Sequence, residues 1–171
     1  SRTNKGYLAN LELPEDRPVL AAANAVHEAE QAAREFFGSL GVVASEEAGG
    51  QSATMRVREP EVVGNSVTPA FDELAGRLKR LKEAWPDELH VGPDKLELNG
   101  YTRRAAEIAR TCKALVSQKE AGLVYWIDSS RSSTGRPRVS LACAPVDVGP
   151  ILGEELFSRE FSVSLTSATL A

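Results

Sequence analysis

Cysteine, histidine and methionine are scarce in this chain. It has two cysteines, two histidines and one methionine among 171 residues. Cys112 and Cys143 stand far apart and in no CxxC-like spacing, so they do not build a zinc or iron–sulfur site, and no metal ligand set is expected. Reduced thiols of a cytosolic protein are the plain reading, which makes the expected location cytoplasmic. His27 and His90 lack partners at metal-ligand spacing and read as surface histidines near helices. No apolar run is long enough to cross a bilayer, and no signal peptide opens the chain, so no membrane partner is expected. A net charge of −4 argues against a protein that coats nucleic acid over its whole surface.

What is present is enough for a packed core. Apolar residues make up 42% of the chain, in a length that fits one domain or slightly more. Charge is unevenly spread: residues 68–119 hold 10 basic and 8 acidic side chains and are the only basic stretch. Asp16 and Pro18 open a helix expected to run to Leu40 and stop at Gly41, with Val26, Ala29, Ala33, Phe36 and Leu40 as its apolar stripe. A short extended stretch is expected at Met55–Val57 inside a Gly/Pro-punctuated break. Thr68 as N-cap and Pro69 in the first turn start a second helix, whose seam is Phe71, Leu74, Leu78, Leu81 and Trp85. A third helix, from about Pro93 to Gln118, carries Leu98, Tyr101, Ala105, Ile108, Cys112 and Leu115 at alternating steps of three and four. The two seams predict an antiparallel helix hairpin, with Phe71, Leu74, Leu78 and Leu81 facing Ile108, Cys112 and Leu115.

The period then changes. Leu123–Asp128 is apolar on both faces, as in a strand covered on both sides. Val139–Cys143 is a second strand, joined to the first by the polar loop SSRSSTGRPR. A short helix over about Pro150–Ser158 is expected to turn Leu152, Leu156 and Phe157 inward, and Phe161–Leu165 returns to strand. The fold class expected is α+β.

The ordered series VYWID, RVSLACAPVDVGPIL and EELFSREFSVSLTSATL resembles the DinG/XPD-type superfamily 2 ATP-dependent DNA helicases. In that family a V/Y-W strand precedes a strand ending in an A-P-[LVI]-[DE]-V turn, then a short helix with "LF", then the T-S-A-T-L signature of motif III. Here these are Val124-Tyr125-Trp126, Ala144-Pro145-Val146-Asp147-Val148, Leu156-Phe157 and Thr166-Ser167-Ala168-Thr169-Leu170. RTNKGYL, Arg2–Leu8, is similar to the family's segment between the DEAH box and the arch insertion. The resemblance implies a lead-in segment over 1–20, a mostly helical arch domain over 21–119, and part of an incomplete α/β first helicase domain over 120–171, ending on motif III. It implies a piece of a longer protein, as do the start at Ser1 and the single methionine at Met55. The parent would use ATP and magnesium and bind single-stranded DNA together with the rest of its helicase domains. These 171 residues contain no G-x-x-x-x-G-K-[ST] loop and no DEAH box, so the chain alone is expected to hold no cofactor and to be non-catalytic. The cysteine quartet of the family's iron–sulfur cluster is absent too; in the family it lies upstream of the DEAH box, which leaves a cluster in the parent open.

Two sets of residues carry the expected function. By resemblance, motif III (Thr166, Ser167, Ala168, Thr169) contacts the DEAH motif and couples ATP hydrolysis to movement on DNA. Its hydroxyls both donate and accept hydrogen bonds, so they can exchange partners as a phosphate site changes state. Arg77, Lys79, Arg80 and Lys82 form the densest basic cluster, with Arg103 and Arg104 on the facing helix and Arg2 and Lys5 near the start. Each is a candidate for the wall of a single-strand path, against the commoner reading of a solvated helix face. Trp126 is expected in the core with an acceptor for its N–H. Asp147 is expected to serve its turn or cap a helix. The competing class is a free-standing helical module that binds a protein partner through its hairpin. Phe161–Leu165 could leave an unpaired edge through which the chain self-associates.

Overall fold

A computed structural model describes residues 16–48, 53–84, 93–131, 137–159, 162 and 164. The protein is α+β: three long helices stacked on one face of a small antiparallel sheet. Helix α1 spans Asp16–Ala48, β1 Ala53–Val57, α2 Val67–Glu83, α3 Pro93–Ser117, β2 Leu123–Arg131 and β3 Pro137–Pro145. A short helix α4, Gly149–Leu152, continues into a π-helical turn at Gly153–Phe157. Among the described residues no helix is long and apolar enough to cross a membrane.

Helices α2 and α3 are an antiparallel hairpin, as the two seams predict. Thr68 Oγ1 at the start of α2 donates to the Ala109 carbonyl, while Lys82 Nζ at its end donates to Asn99 Oδ1. The facing residues differ from those expected. Leu74, Leu78 and Leu81 are buried against Leu98 and Ala105 of α3 and Ala22, Ala25 and Ala29 of α1. Ile108 and Tyr101 are 38% and 43% exposed, and the buried stripe of α3 is Leu98, Ala105, Ala109, Cys112 and Val116. Helix α1 is corrected in the same way. Its buried stripe is Ala22, Ala25, Ala29, Ala32, Phe36, Leu40 and Ala44, while Val26 is 45% exposed. The cause is shared. Leucines of α2 project into the space between three helices, so the surfaces they meet are built from alanines that let the backbones approach.

Helix boundaries shift for identifiable reasons. Helix α1 does not stop at Gly41. An added Cβ there would meet Val139 Cγ2 at 3.4 Å, so the glycine sits at a close approach of α1 to β3. Helix α2 starts one residue before Thr68. The part-buried Thr68 amide donates to Asn65 Oδ1 at 3.0 Å, and the Thr68 side chain instead binds α3. Helix α3 ends at Ser117, and the next residue, Gln118, takes the left-handed region (φ 47°) while its side-chain amide donates to the Glu59 carbonyl. Gly122, at φ 79°, then turns the chain into β2, and its carbonyl accepts from the Val146 amide.

The sheet order is β1-β2-β3, both pairs antiparallel. Met55 pairs with Ile127 and Val57 with Tyr125, while Ile127 pairs with Leu141. These residues form the inner face and pack on Phe36, Leu40, Ala44, Val67, Cys112 and Val116. Residues on both sides of position 119 therefore share one core cluster. Strand β2 is not covered on both faces: Tyr125 and Ile127 are buried, whereas Val124 and Trp126 are half-buried. Nor does α4 turn its apolar residues inward. Leu152 and Phe157 are 42% and 52% exposed, and Leu156 is half-buried. Of the strand expected at Phe161–Leu165, Ser162 and Ser164 are described and neither is in a strand; Phe161, Val163, Leu165 and the seam residue Trp85 lie outside the described residues.

The two thiols occupy opposite environments. Cys143 is exposed, while Cys112 is buried and donates to Asn65 Oδ1. Burial pushes the Cys112 thiol up, and a hydrogen bond with Thr68 offsets part of that rise. A raised pKa leaves less thiolate at neutral pH. A thiol reagent is therefore expected to label Cys143 promptly and Cys112 only after denaturation. Two equally fast labels in the folded chain would contradict this placement.

Candidate nucleic-acid interface

The basic residues of α2 surround the helix. With Leu74, Leu78 and Leu81 turned inward, Arg77 and Lys82 fall on opposite flanks, and Lys79 and Arg80 point outward. Arg77 Nε donates to Glu73 Oε1 at 2.6 Å, an i,i+4 pair within α2. Lys82 is tied to Asn99 at 3.0 Å. Lys79 and Arg80 are exposed. On α3, Arg103 and Arg104 are exposed, Arg103 pointing away from the core and Arg104 at the rim of a groove. The structure thus distributes these six cations over several faces instead of gathering them. Arg2, Lys5 and the motif III residues Thr166, Ser167, Ala168 and Thr169 lie outside the described residues.

Three surfaces were not legible as such in the sequence. One is a groove of about 550 Å3 between α1 and α3, lined by Phe37, Phe71, Ile108, Leu115 and Leu141. Phe37 and Ile108 border it because the alanine stripes face α2. A second is the run after β3. Val146, Val148, Ile151, Leu152 and Phe157 are all 42% exposed or more, five large apolar side chains within twelve residues. Asp147 Oδ1 accepts the Gly149 amide at 2.9 Å, the turn role expected of it, and so fixes how this run leaves the sheet.

The third is the outer face of the sheet. Trp126 lies there, half-buried, and not in the core as expected. Its N–H does find an acceptor, Asp128 Oδ2 at 2.8 Å. Thr54 Oγ1 donates to the other oxygen, Asp128 Oδ1, at 2.6 Å. Strand geometry puts every second residue of β2 on the far side from the helices, which a run apolar at every position from Leu123 to Ile127 does not reveal. His27 is exposed on α1, and among the described residues no three His, Cys, Asp or Glu side chains stand together as a metal ligand set. No family model, curated protein or solved structure matches this chain.

Proposed function

We propose that the chain is the arch domain and adjoining part of the first helicase domain of a DinG/XPD-type ATP-dependent DNA helicase. The observation that carries this is where the motif residues fall. VYWID is strand β2, the A-P-V-D-V segment closes β3 and turns on Asp147, and the LF pair follows on a helical turn. The same segment exposes Val146, Val148, Ile151, Leu152 and Phe157. Contiguous exposed apolar side chains on a well-packed chain mark a surface that another structure covers. The rest of a helicase domain is that structure in this proposal. ATP and magnesium would bind residues of the parent outside this chain. The helices would wall a single-strand path, and motif III would couple hydrolysis to unwinding.

The longer reading frame tests this first: a phosphate loop and a DEAH box upstream of Ser1 are required, and their absence sinks the proposal. A second test addresses the helices. Reversing the charge of Arg77, Lys79, Arg80 and Lys82 in the full-length parent is expected to weaken single-stranded DNA binding, less so as salt rises, because phosphate contacts release counterions. Unchanged affinity at low salt would make these side chains an ordinary solvated surface. The other reading, a helical module that binds a protein partner, is favoured by the apolar α1–α3 groove. It gains if the frame lacks the ATPase motifs.

A further inference from the structure

The outer face of the sheet has a composition unlike the other surfaces of the molecule. Helix α1 and the hairpin meet the sheet on the inner face, through Met55, Val57, Tyr125, Ile127 and Leu141. The alternation of each strand therefore places Thr54, Arg56, Trp126, Asp128, Arg138, Ser140, Ala142 and Ala144 on the other side. The register fixes the rows. Arg56, Trp126 and Ala142 are direct cross-strand neighbours, and Val124 with Ala144 forms the next row. Trp126 donates to Asp128, two residues along on the same face, so its indole leans along the strand and does not stand up from the sheet. Thr54 holds the same carboxylate from β1, which fixes the acceptor in turn. Among the described residues, Ser140, Ala142 and Ala144 flank the ring on the β3 side, and none is tall enough to cover it.

Two arginines stand on the ring's face. Arg56 sits beside it, and Arg138 on β3 pairs with Ser130, four residues along β2 from the ring and on the order of 13 Å away. Arg58, exposed just beyond β1, lines a cleft of about 390 Å3 together with Arg56, Gln118, Gly122 and Val124, two arginines against the one carboxylate of that lining, Glu120. Among the described residues of the outer face, Asp128 is the one carboxylate against the two arginines, and its oxygens accept from Trp126 and Thr54. Protein interfaces also use Trp and Arg, but around an apolar core; on this face Trp126 and Val124 are the large apolar side chains among the described residues, and alanines and serine flank them. A flat aromatic platform beside cations is instead how proteins hold single strands without reading their sequence.

We infer that the outer face of the sheet binds single-stranded DNA, stacking one base on Trp126 while Arg56 and Arg138 meet flanking phosphates. That the strand is DNA and not RNA rests on the helicase proposal above; the stacking and the charge rest on the face itself.

The test uses the 171-residue chain with Trp85→Phe, so that Trp126 is the sole indole, titrated with a short oligodeoxythymidylate. Saturable quenching of Trp126 emission is expected. Trp126→Ala, followed by anisotropy of a labelled strand, is expected to weaken binding at least about fivefold, the lower end of what one stacked base contributes. Trp126→Phe should recover most of the loss. Arg56→Ala with Arg138→Ala should reduce the slope of log affinity against log salt by about 1.4, two single-strand phosphate contacts. Ala142→Glu keeps the ring but places a carboxylate beside it, and should also weaken binding. If Trp126→Ala unfolds the chain, the arginine pair and Ala142→Glu decide. Absence of binding, or variants that fold and bind as the parent chain does, would overturn the inference and leave this face to a protein partner. A missing phosphate loop upstream would sink the helicase proposal without touching these titrations, so the two failures are distinguishable.

Discussion

Truncating Leu40 to alanine will lower the unfolding free energy by about 2–5 kcal/mol, the usual range for a fully buried leucine. Leu40 is 0% exposed and packs with Phe36, Ala44 and Ile127, where α1 crosses the sheet. Its loss removes transfer free energy and leaves a cavity, because Ile127, also 0% exposed, is held by both neighbouring strands and cannot follow. Stabilities of single domains are about 5–15 kcal/mol in total, so this is a large share. Val26→Ala on the same helix is expected to change stability by less than about 0.5 kcal/mol, as surface substitutions do. Urea unfolding of both variants, read by circular dichroism, checks the pair. Equal losses would mean that the buried stripe runs through Val26 and not through the alanines.

That contrast also shows how far the fold was legible. The 3–4 spacing located all three long helices, the end of that period located the β2–β3 hairpin, and the Gly/Pro-punctuated break located the β1 stretch. Spacing alone did not say which stripe is buried. Leu40, Phe36 and Ala29 belong to two overlapping stripes on α1, one continuing through Val26 and Ala33, the other through Ala25 and Ala32. Choosing the bulkier set assumes that large residues make the contact. In this molecule Leu74, Leu78 and Leu81 occupy the interhelical space, and their partners must be small. The same substitution of small for large turned Tyr101 and Ile108 outward on α3. The pairing of β1 with β2 joins residues more than sixty positions apart, for which no local pattern exists.

The candidate surfaces divide along similar lines. The basic residues of α2 were visible as a cluster in sequence, but a helix turns by about 100° per residue, so Arg77, Lys79, Arg80 and Lys82 scatter around the axis. A run of adjacent charges on a helix is the pattern least able to form one patch. On a strand the opposite holds. Arg56 and Trp126 are seventy residues apart in sequence and direct neighbours in the sheet. Trp126 reads as core because its strand is apolar at every position from Leu123 to Ile127; only the helices lying on one side of the sheet separate its two faces. The exposed run from Val146 to Phe157 was legible as apolar but not as uncovered, since covering is decided by chain that packs from elsewhere.

In the full-length parent, Thr166→Ala combined with Thr169→Ala is expected to abolish most unwinding while leaving single-strand affinity within about twofold of wild type. The expectation rests on the helicase proposal and on the chemistry of the two side chains. Each hydroxyl donates one hydrogen bond and accepts two, so it can serve a neighbouring carboxylate or bound water in one state and a backbone group in another. Alanine removes that exchange together with the γ-methyl, so Thr→Val at the same positions, which keeps the shape and loses the hydroxyl, is expected to behave alike. Loss of a state-dependent hydrogen bond to charged groups is worth about 1.5–3 kcal/mol, or roughly 10- to 150-fold in the step that uses it. The DNA-binding residues proposed here, Trp126 and the arginines around it, are untouched by the change. The informative readout is therefore a ratio. Unwinding and DNA-stimulated ATP turnover should fall together or unwinding should fall further, while affinity for oligodeoxythymidylate and the melting temperature stay near wild type. Wild-type unwinding in the double variant would reduce these threonines to structural residues. A parallel loss of DNA affinity would place them on the strand's path and not on the coupling between hydrolysis and movement.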